Sequence, residues 1–455
     1  MKNPKSQVSN LKWFFVLIYI TITFNQIHAQ NKDSTKFSFS LQQAIDYAMQ
    51  NQTKVQNAMY DEQIAKNKVK EITGIGMLQI NGSFDVKDFL NIPTSVLPAG
   101  VFGPVPVAVK FGLPYSASAG IDATQLIFDG SYIVGLQATK VYLELSSKAT
   151  QRTKIETIVA VTKAYYSVLL NGERMKLMEA NVTRVKKLMD DTKALYDNGF
   201  VEKLDFDRIT VTYNNLVVEK EKIQRFLDLS AALLKYQMGM DQMASLVLTD
   251  KLADIKFDSV NISADKFDYS KRVEYSLMQT QNAAAKLQLK KDKFGYLPNM
   301  VAYGSASLNA FRQTFDVFDF SQKWYPTTIV GARLGIPIFD GLQKNYRIQQ
   351  SKIGLLKSDN DLKFIQQSID LELSSTRATL MNSSSSLESQ KKNIELAEDV
   401  YRVAKLKYDQ GVGSNLEVLN AETALKEAQT NYYNALYDAL IAKVEFEKAN
   451  GAIVK

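Results

Sequence analysis

Along two long stretches of the chain an apolar or aromatic residue returns every seventh position. Counting back from Tyr408, the series runs Tyr401, Ile394, Leu387, Leu380 and Leu373; from Tyr196 it runs Met189, Val182, Met175, Val168 and Val161. A strict seven-residue step keeps one seam facing a neighbouring helix and imposes a left-handed supercoil. The accompanying positions Thr376, Ser383, Gln390, Ala397 and Ala404 are small or polar, which suits helices packed side by side in a wall wetted on one face. No proline falls between Tyr115 and Leu297 or after Pro337, and proline in a helix interior costs roughly 3 kcal/mol. The pattern predicts long helices over 130–197 and 341–409, each about 100 Å at about 1.5 Å per residue. It also predicts leading helices over 39–72 and 268–294, and return helices over 204–237 and 415–449.

Between the helices the period changes from seven to two. Tyr115, Ala117, Ala119, Ile121 and Ala123 alternate with Ser116, Ser118, Asp122 and Thr124, and Thr328, Val330, Ala332, Leu334, Ile336 and Ile338 alternate with Thr327, Gly331, Arg333 and Gly335. Four strands follow, over 78–88, 115–128, 297–309 and 327–338, each about the length a tilted strand needs to cross a bilayer. Soluble hairpins would alternate in the same way. The stretches 89–114, rich in proline and glycine, and 311–326, rich in aromatics, read as loops joining the strand pairs.

The landmarks occur twice. LIFDG (126–130) returns as PIFDG (337–341), Tyr196-x-x-Gly199 as Tyr408-x-x-Gly411, and Gly239 as Gly451, all at an offset of 211 or 212 positions. Such a fixed offset marks an internal repeat. We read repeat 1 over 30–240, a linker over 241–267 and repeat 2 over 268–455. Each repeat runs helix, strand, strand, very long helix, glycine turn, return helix. Four strands cannot close a membrane barrel, whose single-chain minimum is about eight, and an open edge in lipid leaves backbone groups unsatisfied. Three copies would supply twelve strands. The glycines of KYDQGVGSN (407–415), Gly411 and Gly413, give the chain freedom to reverse.

Composition narrows the chemistry. The first 29 residues hold Lys2, Lys5 and Lys12, the apolar run Trp13 to Phe24 and a small residue at Ala29, the order of a cleavable secretory signal. There is no cysteine, and the one histidine, His28, lies in that leader. Thiol and histidine catalysis and structural zinc are therefore not expected, nor is any cofactor. The formal charge of +7 is modest for this length, and the lysines mostly alternate with glutamates as on a solvated helix face, so nucleic acid is not an expected partner. No glycine-rich phosphate loop or metal spacing supports an enzyme.

These residues resemble the TolC-like outer membrane efflux proteins. The opening SLQQAIDYAMQN (40–51), the IFDG boundary in both halves, the Tyr-x-x-Gly tips and the closing ALIAKVEFEKANG (439–451) carry the resemblance over essentially all of the chain after the leader. It implies a mainly α protein with membrane β: a homotrimer whose 12-stranded β-barrel in the outer membrane is continuous with an α-helical barrel across the periplasm. Such a passive duct docks to a periplasmic adaptor and an inner-membrane pump. The resemblance places adaptor docking at the tips, on Tyr196, Gly199, Val201, Tyr408, Gly411, Val412, Gly413 and Leu416. It places the entrance at Glu417 and Asn420 in repeat 2 and Asp205 and Arg208 in repeat 1, where relatives carry aspartates in the second repeat. The cargo is not written in the sequence. An exported coiled-coil tether or a periplasmic adaptor is the competing reading.

Overall fold

The computed structural model describes residues 36–100, 103–252 and 267–453. The predicted leader and most of the 241–267 linker lie outside them. Repeat 1 opens with β1 (Lys36–Phe39), α1 (Leu41–Asn51) and α2 (Thr53–Ile75), and continues through β2 (Gln79–Asp88), β3 (Thr94–Leu97), β4 (Val107–Lys110) and β5 (Tyr115–Asp129). It then runs through α3 (Gly130–Asp197), α4 (Lys203–Met238) and β6 (Ser245–Leu248). Repeat 2 has a 3-10 turn at Tyr269–Lys271, then α5 (Val273–Phe294), β7 (Asn299–Arg312), β8 (Tyr325–Gly335), α6 (Gln343–Asp409) and α7 (Asn415–Ala449).

The aspartate of IFDG starts each long helix. Asp129 caps α3 by accepting from the Tyr132 N–H at 2.9 Å, satisfying one of the free donors of the first turn. Asp340 accepts from the Lys344 N–H at 3.1 Å, just after Gly341 and Leu342 pass through the left-handed region.

The helices stand in a single layer of four columns. α3 packs against α2 and α4 on one side and against α5 and α7 on the other, and α6 packs against α5 and α7. The columns on either side of α3 are each two helices placed end to end. At one splice the Gln52 side-chain amide donates to the Tyr236 and Gln237 carbonyls at 3.2 and 3.1 Å, and Gly239 lies so close to Asn51 that a Cβ would sit 2.5 Å from its carbonyl oxygen. At the other, Arg272 Nη1 donates to the Ala449 carbonyl at 2.8 Å, and a Cβ on Gly451 would sit 2.7 Å from the Lys271 oxygen. The duplicated glycine thus marks where one helix ends against the start of another. The first splice also corrects the expected 39–72 helix, which breaks at Gln52 because that residue's side chain is turned to the carbonyls of α4.

β2, β5, β7 and β8 form one antiparallel sheet in that order. Its register puts Ile80, Phe84, Val86, Ala119, Ile121, Leu308, Ala306, Val330 and Leu334 on one face, and Asn81, Ser83, Asp85, Ser118, Asp122, Ser305, Ser307, Thr327 and Arg333 on the other. One face is apolar and one polar. Two further strand pairs were not visible in the sequence pattern. β3 and β4 form a hairpin inside the expected 89–114 loop, and β1 pairs in parallel with β6 at the level of the splice. There Asp250 accepts from the Leu41 N–H and lies 2.9 Å from the buried Tyr165 hydroxyl, fixing the strap to α3. Among the described residues no helix is long and apolar enough to cross a membrane.

Candidate docking tips and tunnel entrance

Each long helix ends in the same reversal. At the first tip Gly199 has φ +78°, its N–H donates to the Tyr196 carbonyl at 2.9 Å, and the Phe200 N–H donates to the Leu195 carbonyl at 2.9 Å. At the second, Gly411 has φ +74°, its N–H reaches the Tyr408 carbonyl at 3.0 Å, and the Val412 N–H reaches the Lys407 carbonyl at 3.0 Å. This paired pattern is the Schellman cap, and its left-handed residue strongly favours glycine. Gly413 serves otherwise. Its backbone is not left-handed, but a Cβ there would meet Lys407 Cβ and the Tyr408 nitrogen, both at 2.9 Å. The close approach lets its N–H donate to the Lys407 carbonyl at 3.1 Å.

The two tips diverge in their side chains. Tyr196 is exposed and stacks on Phe206 of α4, ring centroids 6.1 Å apart and nearly parallel. Tyr408 instead packs into an apolar cluster with Val185, Leu188, Ile209, Leu216 and Val418, its hydroxyl buried without a partner. Val412 and Leu416 project from the second tip, and Val201 is half-buried at the first. Phe200, which the sequence reading did not single out, is 78% exposed, and Val412 is 76% exposed. The repeat offset of 212 equates these two residues and was the signal that could have found it.

Beyond the turn, Ser414 caps α7 by accepting from the Glu417 N–H at 3.2 Å, whereas Glu202 at the start of α4 makes no such bond. Glu417 and Asn420 are both exposed and line an open groove with Val400, Val403, Ala404 and Lys407 of α6. The Glu417 carboxylate makes no ion pair among the described residues. Asp205 and Arg208 lie 3.6 Å apart on one helix face and answer each other's charge. The structure brings the repeat-2 pair to a groove and leaves the repeat-1 pair self-neutralised.

Further along, a polar network fastens the two hairpins together. Arg184 of α3 makes a forked contact with Glu422 of α7, the closest approach 3.0 Å, while also donating to Asn181 and lying 5.5 Å from the Tyr401 ring centre on α6. Glu422 is 5% exposed. Burial, with the Glu422 charge beside it, raises the Tyr401 hydroxyl pKa above its ordinary value. Lys426 of α7 pairs with Glu219 of α4. Heptad counting found Tyr401 but not Arg184, Glu422, Lys426 or Glu219, which are charged and fall outside the apolar series. Among the described residues no cluster of carboxylates or histidines could hold a metal ion.

Comparison with known proteins agrees with this geometry. The family described as "Outer membrane efflux protein" matches residues 277–452. Outer membrane protein TolC of Vibrio cholerae is 20% identical over 351 residues, covering 74% of this chain and 77% of its own. TolC of Escherichia coli is 22% identical over 353 residues, covering 74% and 70%. The crystal structure of the Vibrio cholerae outer membrane protein VceC superposes with a TM-score of 0.69 at 14% identity, over 90% of this chain and 96% of that one. With two copies of one helix–strand unit, an amphipathic sheet at one end and glycine-capped hairpins at the other, the chain has the fold of these channels, and its second half, residues 277–452, matches the outer membrane efflux protein family.

Proposed function

We propose that this protein is the passive exit duct of a tripartite efflux or type I secretion system, three copies forming one tube from the outer membrane through the periplasm. The observation that carries the reading is the sheet's incompleteness: one face is apolar, and β2 and β8 pair on one side only. In a bilayer those edges need partners. Joining β8 of one copy to β2 of the next gives twelve strands in three copies, above the minimum of about eight for a closed barrel. The helical layer ends at the same two sides, in the α2–α4 column and in α6, so one rotation completes wall and sheet together. Without its own energy source, such a duct works with an inner-membrane pump through a periplasmic adaptor.

The tips, with Tyr196, Gly199, Val201, Tyr408, Gly411, Val412, Gly413 and Leu416, are the adaptor's docking points, to which Phe200 is added. Their support is the exposed apolar pair Phe200 and Val412 at the end remote from the sheet. The entrance is lined by Glu417 and Asn420, with the paired Asp205 and Arg208 behind them. Three Glu417 carboxylates about one axis repel one another and favour cations.

The test is reconstitution in planar bilayers. The protein should run as a heat-sensitive trimer and form long-lived conducting channels, and a stable monomer that never enters the bilayer would refute the reading. Glu417→Gln should reduce cation over anion selectivity severalfold, and unchanged selectivity removes Glu417 from the entrance.

A further inference from the structure

At the end of the sheet remote from the helices, the loop joining β7 to β8 (313–324) does not stand free. Val317 is fully buried against Ala117 and Ala310, with Tyr115 and Trp324 packed beside them. Phe318 lies 6.3 Å from Phe84 and Phe315 lies 5.5 Å from Tyr115. The strand register places Ala117, Ala310, Phe84 and Tyr115 on the apolar face of the sheet. The loop therefore folds back over the apolar side and leaves the polar side uncovered. It covers Arg312, which the register puts on that apolar face and which is only 6% exposed. Arg312 Nη1 donates to the Phe311 and Lys323 carbonyls at 3.1 and 3.3 Å, and Nε lies 3.7 Å from Asp316. A cation on that face is thus answered by one carbonyl of the loop, one of β7 and the nearby Asp316 charge. The loop's outer surface carries Phe315, Phe318 and Phe320, exposed by 61, 57 and 73%, and Phe320 stacks on Trp324 at 5.8 Å.

We propose that residues 313–324 form a collar seated in the outer-leaflet interface on the lipid side of the barrel, in contact with phospholipid or glycolipid at the boundary between headgroup and acyl chain. The inference rests on the membrane reading of the sheet and extends it to a loop that would otherwise be assigned to the extracellular mouth. The apolar face of the strands continues onto the loop, where Phe315, Phe318 and Phe320 present apolar rings for acyl chains to cover. Lipid is the occupant because three exposed phenylalanines in water would be an unfavourable apolar patch, while the lumen-facing side of the sheet is polar.

Trp324 reports on the site directly. The sequence has two tryptophans, Trp13 and Trp324, so protein beginning at residue 30 carries Trp324 alone. In phosphatidylcholine vesicles brominated near the headgroup end of the acyl chain, its fluorescence should fall at least twofold, with little quenching by aqueous iodide. Strong iodide quenching without bromine quenching overturns the collar. The triple variant F315S/F318S/F320S should halve the bromine quenching and leave single-channel conductance unchanged, whereas raised conductance would place the loop over the lumen and overturn the proposal. Protein that floats with vesicles yet shows a water-exposed Trp324 refutes only the collar. Protein that never floats with them refutes the membrane reading as well.

Discussion

α3 buries seventeen of its 68 residues and α6 buries two of its 67, Ile369 and Leu380. The two helices hold the same place in their repeats and start at the same IFDG boundary. Their difference is positional. α3 stands between two columns, so opposite stripes of its surface are covered and Val161, Tyr165 and Val185 are enclosed. α6 has a column on one side only, and Ile353, Phe364, Leu371 and Leu396 of its outer stripe are 65 to 72% exposed. A repeated sequence thus yields one interior element and one edge element, and in the proposed trimer the apolar residues of the edge would face a neighbouring copy.

The largest expected effect breaks that contrast directly. Val161→Asp places an unpaired carboxylate in the core and should cost about 4 kcal/mol or more, seen as loss of folded protein in thermal melts. Phe364→Asp on α6 should leave the secondary structure of the single chain intact by circular dichroism while abolishing the trimer in native gels. Equal effects of the two would erase the distinction between interior and edge. Next in size is the link between hairpins. Arg184→Met leaves Glu422 buried without its partner and should cost about 3 kcal/mol in urea unfolding, the low end for a broken buried pair because Arg184 is partly exposed. Adding Glu422→Gln should restore part of that loss; a double variant no better than the single one would show that the charge pair is not what holds the hairpins. The smallest effect concerns the tips. Ser414→Ala should cost about 1 kcal/mol and Glu202→Ser should gain about 0.5 kcal/mol, read as local amide exchange in the first turns of α7 and α4. Identical exchange in both variants would mean that the caps do not distinguish the tips.

The seven-residue period and the distribution of proline located α3, α4, α6 and α7 to within a few residues of their ends, since backbone periodicity and glycine caps are local properties of the chain. Alternation likewise located β2, β5, β7 and β8. The pairing of β1 with β6 was not legible, because four-residue strands more than two hundred positions apart carry too few alternations to stand out. The break at Gln52 was hidden for a related reason: its cause is a carbonyl pair on α4. At the tips, Tyr-x-x-Gly correctly signalled two identical caps and concealed two different tyrosines, one stacked on its own hairpin and one half-buried in a cluster drawn from both. The Arg184–Glu422 pair offered no sequence signal, as its members are 238 positions apart and single charged residues are ordinary on solvated helices. Only packing distinguishes a buried one.

The spliced columns have a bearing on how long such a helical layer can be. Where Gln52 meets the end of α4 and Arg272 meets the end of α7, two helices share an axis without sharing a backbone. A heptad added to α3 alone would strand its far end beyond the reach of its neighbour. Growth or shrinkage has to enter α3, α6 and one member of each spliced pair together, so the length of the helical layer can be retuned only in matched steps of whole turns.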